Sequence, residues 1–357
     1  MLGPSSGVRG QSNAGNLLTI VIYHYVRSIV GSSYPAIKAL DITDFRRQLM
    51  FCRRHYHFVS MEEVVAAAEG GCPLPERPLL LTFDDGYVDH YLHAWPALRE
   101  FGVRGAFYPT SDAVLGHRIL DVNKIHFILA AIHEHSVLVA AIESAIRERG
   151  EEFAALSVDE YRRRHWVSNR FDPPTILYCK QLLQHGLPEV FRRQLVDELF
   201  RRFVTADESS FAADLYVSVE HLQEMHSSGM HIGGHGGTHR WLDRLTRDEQ
   251  RYEIEASVQL LETIGISNGD CLTFCYPYGG YNAATVELLH EQGFRAGLTV
   301  RVDLARIGRD RMLELPRIDT TDLPMDPGAL PGHWTTHAGA QDALDSDRPD
   351  AERPSPH

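Results

Sequence analysis

Short hydrophobic runs alternate with longer amphipathic segments along most of this chain. Residues 17–23 and 79–83 are almost continuously apolar and are bounded by polar residues, glycine or proline, as expected of buried strands. Further strand candidates follow at residues 105–109, 231–234, 271–276, 295–300 and 313–318. Strands that alternate with helices in this way predict a parallel α/β sheet or barrel.

Six amphipathic segments between these runs predict helices, at residues 43–54, 60–69, 88–101, 219–228, 246–264 and 282–292. Hydroxyl side chains stand at four of the predicted starts, where they accept hydrogen bonds from free backbone N–H groups. These N-caps are Thr43, Ser60, Ser218 and Thr246, the last with Glu249 in a capping box. Glycines mark three predicted ends, at Gly102, Gly265 and Gly293.

Residues from about 115 to 211 break the alternation, because they carry helical patterns and no clear strand. We interpret them as a mostly helical insertion in a domain that spans residues 17–330. The insertion either folds over the mouth of the site or packs away from it; the first is slightly favoured because barrel sites lie on βα-loops. Residues 1–16 are predicted to be a flexible N-terminus, and residues 331–357 a disordered acidic tail.

Composition excludes several classes of protein. A formal net charge of −13 argues against general nucleic-acid binding, which needs a positive face. No apolar run reaches the roughly 18 residues of a membrane helix, and no secretory signal is recognisable, so we expect a cytoplasmic protein without membrane insertion. The five scattered cysteines predict reduced thiols without disulfides.

The first candidate for chemistry is the pair Asp84 and Asp85, which follows a buried strand and precedes Gly86. Adjacent carboxylates at a strand end point in different directions, so one is suited to bind a metal and the other to handle a proton. An Asp-Gly turn that begins a helix is the alternative, and the motif alone does not decide between them.

A second candidate is the HGGTH segment, with His235 and His239 four residues apart after another short strand. Two imidazoles in a glycine-rich loop can converge on one ion, and together with an aspartate they suit zinc or a related divalent metal. Among twenty histidines this spacing alone is weak evidence. Its position at a strand end, like that of Asp84 and Asp85, strengthens it.

A third strand end carries the segment YPYG, which contains Pro277 and Tyr278. Proline and glycine restrict the backbone there, so that an amide N–H is held ready for developing negative charge on an oxygen. The alternative is a plain strand terminator with aromatic packing.

Together the three motifs, TFDDGY, HGGTH and YPYG in this order, resemble the polysaccharide deacetylases, also called NodB-homology or carbohydrate esterase family 4 enzymes. The resemblance covers roughly residues 17–319 without the insertion. It implies a distorted (β/α)7 barrel and a metal-dependent hydrolase that removes N-acetyl, or sometimes O-acetyl, groups from carbohydrates.

Carried over by motif, the resemblance implies that Asp84 is the general base and that Asp85, His235 and His239 bind the metal. It also implies that the backbone N–H of Tyr278, after Pro277, stabilises the oxyanion. Zinc is the expected cofactor, with cobalt, nickel or manganese as alternatives.

The chain departs from the family's commonest pattern in two places. Cys275 stands where many members have arginine, and the last strand region ends LPRID without the usual catalytic histidine. His24 follows the first strand in a YH motif that resembles the branch with poly-N-acetylglucosamine deacetylases, which implies that His24 is the general acid. A hydrogen-bonded structural histidine is the alternative. We expect Arg317 near Asp84 or the substrate.

The expected substrate is an N-acetylated amino sugar, either free, linked to a nucleotide, lipid or small metabolite, or within an oligosaccharide. Trp241 either stacks on a sugar ring or packs internally. Two rival functions stay open: a deformylase, O-acetyl esterase or other amidase on the same metal site, and a barrel that binds carbohydrate without catalysis. The sequence does not decide the oligomeric state.

Overall fold

The computed structural model describes residues 17–168, 172–267, 269–308 and 311–338. The strands in these ranges are β1 (Leu17–Tyr23), β2 (His57–Phe58), β3 (Pro78–Asp85), β4 (Ala106–Pro109), β5 (His231–Ile232), β6 (Thr273–Cys275), β7 (Ala296–Leu298), β8 (Ala305–Arg306) and β9 (Ile318–Asp319). The α-helices are α1 (Ile42–His55), α2 (Met61–Ala68), α3 (Trp95–Phe101), α4 (Ser111–Val114), α5 (Asp121–Ala131), α6 (His135–Arg149), α7 (Val158–His165), α8 (Pro174–Gln181), α9 (Glu189–Phe203), α10 (Glu208–Leu215), α11 (Val219–Ser227), α12 (Arg247–Ile264), α13 (Ala283–Glu291) and α14 (His333–His337).

Seven of these strands lie next to one another in a parallel arrangement. One sheet contains the parallel order β9-β1-β3-β4-β5, and β6 pairs with β7 in a second sheet. Two single parallel bridges join the sheets, Gly234 with Phe274 and Leu298 with Leu315. Among the described residues, single bridges, and no continuous ladder, thus link the two sheets, and the predicted α/β class with a parallel sheet is confirmed.

All of the predicted strands are present, although the later ones are shorter than the apolar runs from which they were predicted. β1 has the predicted bounds, whereas residues 313–318 contribute only the start of β9, because a 3₁₀ turn occupies Met312–Glu314. Two short strands were not predicted: β2 pairs with β3, and β8 pairs antiparallel with β1. Both are two-residue strands, too short for a periodic pattern.

The six predicted helices are present, with two differences. Asp41, not Thr43, caps α1, since its carboxylate accepts the backbone N–H of Thr43. Residues 88–101 contain a π-helical turn at His90–Ala94 before α3 begins. The predicted caps Ser60, Ser218 and Thr246 are confirmed.

The region predicted as an insertion contains α5 to α10, and no strand lies between β4 and β5 in the described residues. Its helices share a hydrophobic cluster of their own, separate from the clusters that fill the barrel. Tyr25 and Tyr87, from the barrel strand ends, belong to the insertion's cluster. The insertion therefore packs directly on the edge where the candidate residues lie.

The predicted tail needs a correction at its start. Residues 331–338 include α14, whose Thr335 is buried and accepts a hydrogen bond of 3.0 Å from Tyr56. This contact anchors the segment to α1, a tertiary effect that composition does not reveal. The remaining tail and residues 1–16 lie outside the described residues. Within the described ranges, no helix combines the length and apolarity that crossing a membrane requires.

Candidate active site

The two aspartate side chains at the end of β3 point in different directions. Thr82 and Asp84 lie on the same face of the strand, where both contact Arg317. Asp85 has a left-handed backbone (φ 74°), and so does Gly86, so the chain turns sharply at this point. A Cβ on Gly86 would lie 2.7 Å from Cβ of Pro109, so only glycine fits this turn.

Asp85, His235 and His239 converge as predicted. Nε2 of each histidine lies 3.3 Å from Oδ1 of Asp85, and all three side chains are buried. Burial raises the pKa of Asp85, but the two adjacent imidazoles outweigh it and hold the pKa well below its usual range. The carboxylate is therefore charged, as a metal ligand must be.

The donor atoms fit a divalent metal. Nδ1 of His235 lies 2.8 Å from the carbonyl oxygen of Cys275; because a carbonyl only accepts, Nδ1 carries the proton and Nε2 is left with a free lone pair. Oδ1 of Asp85 is buried without a hydrogen-bond partner in the described residues. A buried carboxylate oxygen that faces two imidazole nitrogens suits zinc or a related ion.

Glu253 on α12 holds the HGGTH loop, a role that the sequence did not reveal. Its carboxylate accepts the backbone N–H groups of Gly237 and Thr238 at 2.8 and 2.7 Å and the Thr238 hydroxyl at 2.5 Å. Since Gly237 and Thr238 lie between the two histidines, Glu253 fixes the spacing of the two imidazoles. A glutamate on a helix face has no local signature of such a role.

Asp84 is held by Arg317, as expected from the sequence. The guanidinium donates to Oδ1 at 2.9 Å and to Oδ2 at 2.8 Å, and Arg317 is only 1% exposed. Burial raises the pKa of Asp84, but the charge and hydrogen bonds of Arg317 outweigh it and lower the pKa to about 2. Asp84 is therefore an ionised carboxylate at neutral pH.

The thiol of Cys275 contacts both members of this ion pair. Its Sγ lies 3.0 Å from Nη2 of Arg317 and 3.3 Å from Oδ2 of Asp84, and the side chain is fully buried. Asp84, His235 and Cys275 form a second group with metal-binding atoms close together. Both oxygens of Asp84 already accept from Arg317, so the group around Asp85 is the better ligand set.

A cleft of about 550 Å³ opens above these residues. Asp84, Asp85, His235 and His239 line this cleft together with His24 and Tyr278. His24 is exposed, so it is accessible from the cleft. One cleft thus contains the predicted base, acid and metal ligands.

The YPYG segment lies beside His239. Pro277 is buried, and Tyr278 has a left-handed backbone (φ 56°) with its ring against that of His239. Trp241 stacks on Tyr278 at 4.6 Å, while the guanidinium of Arg244 lies over the Trp241 ring. Trp241 lies outside this cleft but lines a neighbouring pocket with His239 and Tyr278, so both alternatives for it stay open.

The insertion forms one wall of the same cleft. Val122, His126 and Leu129 project from α5, and Ile176 and Lys180 project from α8. Because residues three or four positions apart lie on the same side of a helix, each of the two helices presents one face to the cleft. Of the two positions considered for the insertion, the structure shows the one beside the site. His126 had no distinguishing signal among the many histidines of the sequence.

Parallel strands thus bring an aspartate and two histidines together beside an arginine-held carboxylate, the arrangement that the resemblance to polysaccharide deacetylases implies. Comparison with known proteins agrees. A family model described as polysaccharide deacetylase matches residues 203–297, which include His235, His239 and Tyr278. A segment of 70 residues is 42% identical to the poly-beta-1,6-N-acetyl-D-glucosamine N-deacetylase of Escherichia coli K12.

That segment is 19% of this chain and 10% of the Escherichia coli protein, so the match spans only about a tenth of the relative's length. The fold resembles the deacetylase PplD of Streptococcus pyogenes, solved with acetate, with a TM-score of 0.53 at 18% identity over 88% of this chain and 96% of that one. IcaB from Ammonifex degensii gives a TM-score of 0.52 at 19% identity, over 91% and 98% of the two chains. The chain is thus similar to polysaccharide deacetylases, in sequence over part of its length and in fold over most of it.

Proposed function

We propose that this protein is a metal-dependent hydrolase that removes the N-acetyl group from an amino sugar. One observation carries the proposal: the Asp84–Arg317 pair lies directly beside the converged group of Asp85, His235 and His239 in one cleft. Hydrolysis of an unactivated amide needs a base, a means to polarise the carbonyl, and a proton donor for the leaving amine. The cleft offers side chains for each of these tasks.

Asp85, His235 and His239 are the residues that would hold the metal. A divalent ion there supplies Lewis-acid polarisation of the acyl carbonyl and lowers the pKa of water. We favour zinc because an aspartate with two histidines is a typical zinc ligand set, with cobalt, nickel and manganese as alternatives.

Asp84 is the proposed general base. Arg317 keeps its carboxylate ionised and fixes both oxygens in place, so Asp84 is ready to accept a proton from the attacking water. Arg317 thus acts through Asp84, as a positioning residue.

His24 is the proposed general acid, and Tyr278 the proposed oxyanion partner. Both line the cleft that contains Asp84. A protonated imidazole donates readily near neutral pH, which the departing amine requires. The backbone N–H of Tyr278, within the constrained YPYG turn, would share the negative charge that develops on the acyl oxygen.

The proposed substrate class is an N-acetylated amino sugar. The name of the Escherichia coli relative specifies an N-acetylglucosamine polymer, and the motif pattern leads to the same chemistry. The carrier of the sugar is best found by trial, because a nucleotide, a lipid, a small metabolite or an oligosaccharide would present the same acetamido group.

The decisive experiment is acetate release from a panel of N-acetyl sugars, nucleotide sugars and short N-acetylglucosamine oligomers. It is run on metal-loaded protein with and without chelator, and with Asp84→Asn as a control. Chelator-sensitive release that Asp84→Asn loses supports the proposal. If metal is bound but no substrate releases acetate, N-deacetylation is rejected in favour of another acyl bond or a binding role.

A further inference from the structure

A buried chain of hydrogen bonds joins the candidate metal ligand Asp85 to the insertion. The Tyr87 hydroxyl donates to Oδ2 of Asp85 at 2.6 Å. On α5, Nδ2 of Asn123 donates to the Tyr87 oxygen at 2.6 Å and to the Tyr25 oxygen at 3.0 Å. Asn123 is fully buried, and the two tyrosine rings stack with their centroids 4.0 Å apart.

The direction of these bonds follows from a fixed donor at the far end. The backbone N–H of Leu120 donates to the Tyr216 oxygen at 3.0 Å, and the Tyr216 hydroxyl is 2.5 Å from Oδ1 of Asn123. The Tyr216 oxygen accepts from this N–H, and its own proton is directed to Oδ1. The Tyr87 proton goes to the Asp85 carboxylate, so the Asn123 group that faces Tyr87 must be the donor. This bond orients the Asn123 amide, with its NH₂ group towards Tyr25 and Tyr87.

Each of the two tyrosine oxygens therefore receives an amide hydrogen and directs its own hydrogen elsewhere. Tyr87 gives its proton to Asp85, because an ionised carboxylate only accepts. Tyr25 lies 3.3 Å from Nδ1 of His126, so its proton goes to Nδ1. The neutral His126 ring then carries its proton on Nε2, which makes it a donor in the wall of the cleft.

We propose that Asn123 is a positioning residue that sets both branches of this network. One branch holds Asp85 by Oδ2, so that Oδ1, the oxygen that faces His235 and His239, is left for a metal. The other branch fixes the tautomer of His126 for a hydrogen bond to the substrate. The insertion is thus part of the metal centre. The second branch rests on the proposed function, whereas the first requires only that Asp85 binds a metal.

The first branch is tested by metal affinity alone, without substrate. Co²⁺ is titrated into the full chain against a competing chelator, and the absorption spectrum of the bound ion is recorded. Tyr87→Phe removes one hydroxyl, and Asn123→Asp removes the donors that orient Tyr87. Both variants should weaken Co²⁺ binding about 10- to 100-fold and alter the spectrum, the usual effect of losing an outer-shell partner.

Gln48→Glu is the matched control, because Gln48 is an equally buried amide whose partners, Tyr23 and Thr320, are outside the cleft. It should bind Co²⁺ with wild-type affinity. Tyr87→Phe keeps the test valid if Asn123→Asp does not fold. Wild-type affinity and spectrum in Tyr87→Phe, or in a folded Asn123→Asp, overturn the proposal whatever the acetate assay shows.

The variant Tyr25→Phe tests the second branch separately from the first. This variant should bind Co²⁺ as tightly as the wild type, yet raise KM for the sugar several-fold because His126 loses the partner that fixes its tautomer. Equal loss of Co²⁺ affinity in Tyr25→Phe and Tyr87→Phe would contradict two separate branches. An unchanged KM would remove His126 from the substrate contacts.

Discussion

Arg317 donates two hydrogen bonds to Asp84 across 233 positions of the chain, at 2.9 and 2.8 Å. The same guanidinium donates to Thr82 on β3 and to the backbone carbonyl of Thr299 after β7, so it joins two separate strands of the barrel. Both charged side chains are almost fully buried. Such a pair supports stability as a unit, because either charge without the other would lie unpaired in the interior.

Arg317→Met should therefore cost about 3–5 kcal/mol of unfolding free energy, measured by urea denaturation, because it leaves Asp84 buried without a partner. Arg311→Met is the control, since Arg311 is 84% exposed; its cost should stay within about 0.5 kcal/mol. Equal costs for the two variants would contradict this account of the Asp84–Arg317 pair.

The Asp84–Arg317 pair also predicts acid sensitivity. The lowered pKa of Asp84 contributes stability that is present above its unfolded value, about 3.9, and is lost as pH falls through about 2. In Arg317→Met, burial would raise the Asp84 pKa against only the weaker lowering effect of His235 and His24, so turnover should decline at higher pH than in the wild type. The pH–rate profiles of both proteins measure this shift, and superimposable acid limbs would reject it.

The two adjacent aspartates should respond differently to substitution. Asp85→Ala should lose bound metal, because it removes the carboxylate that faces both histidines. Asp84→Asn should keep its metal and lose turnover by about 10²- to 10⁴-fold, the usual contribution of a general base. Metal content by mass spectrometry and acetate release measure the two effects. Full metal content in Asp85→Ala would exclude Asp85 as a ligand.

The proposed role of His24 as general acid is best tested with two substrates that differ in their leaving group. An N-acetyl sugar expels an amine that needs a proton, whereas an activated acetate ester such as 4-nitrophenyl acetate expels a stable anion. His24→Gln should therefore slow amide hydrolysis by about 10²-fold or more and ester hydrolysis much less. Equal losses on both substrates would show that His24 does not act as the acid.

Glu253→Gln tests the support of the HGGTH loop. The amide nitrogen of glutamine cannot accept, so one of the loop donors would be left unsatisfied, at a cost of about 1–3 kcal/mol. Metal affinity should also fall, since both histidines flank these donors. Glu255→Gln, on the exposed side of the same helix, should change neither quantity. Unaltered stability in Glu253→Gln would mean that the loop holds its shape without the carboxylate.

Much of the barrel could be predicted from sequence because its signals are local. A fully buried parallel strand such as β1 is an uninterrupted apolar run, and a capping box such as that of Ser60 spans only four residues. The group of Asp85, His235 and His239 was also predictable, since carboxyl ends of parallel strands meet at one edge of a barrel. The roles assigned to these residues stay predictions.

The supporting contacts were not predictable, because they depend on side chains far apart in sequence. Glu253 and Asn123 occupy ordinary helix positions, and only tertiary packing brings them to a backbone amide or a tyrosine hydroxyl. Trp241 is a further example: its stacking on Tyr278 and the guanidinium of Arg244 over its ring could not be read from its place next to His239 in the sequence. Proximity in sequence to a ligand does not decide which way a ring packs.

The distance between Asp84 and Arg317 along the chain has a consequence for synthesis on the ribosome. Asp84 is made 233 residues before the only cation that bonds to both of its oxygens in the described ranges. Until the last strand emerges, a nascent chain that buried this carboxylate would enclose an unpaired charge. We therefore expect the barrel to close late in synthesis, after Arg317 has left the ribosome.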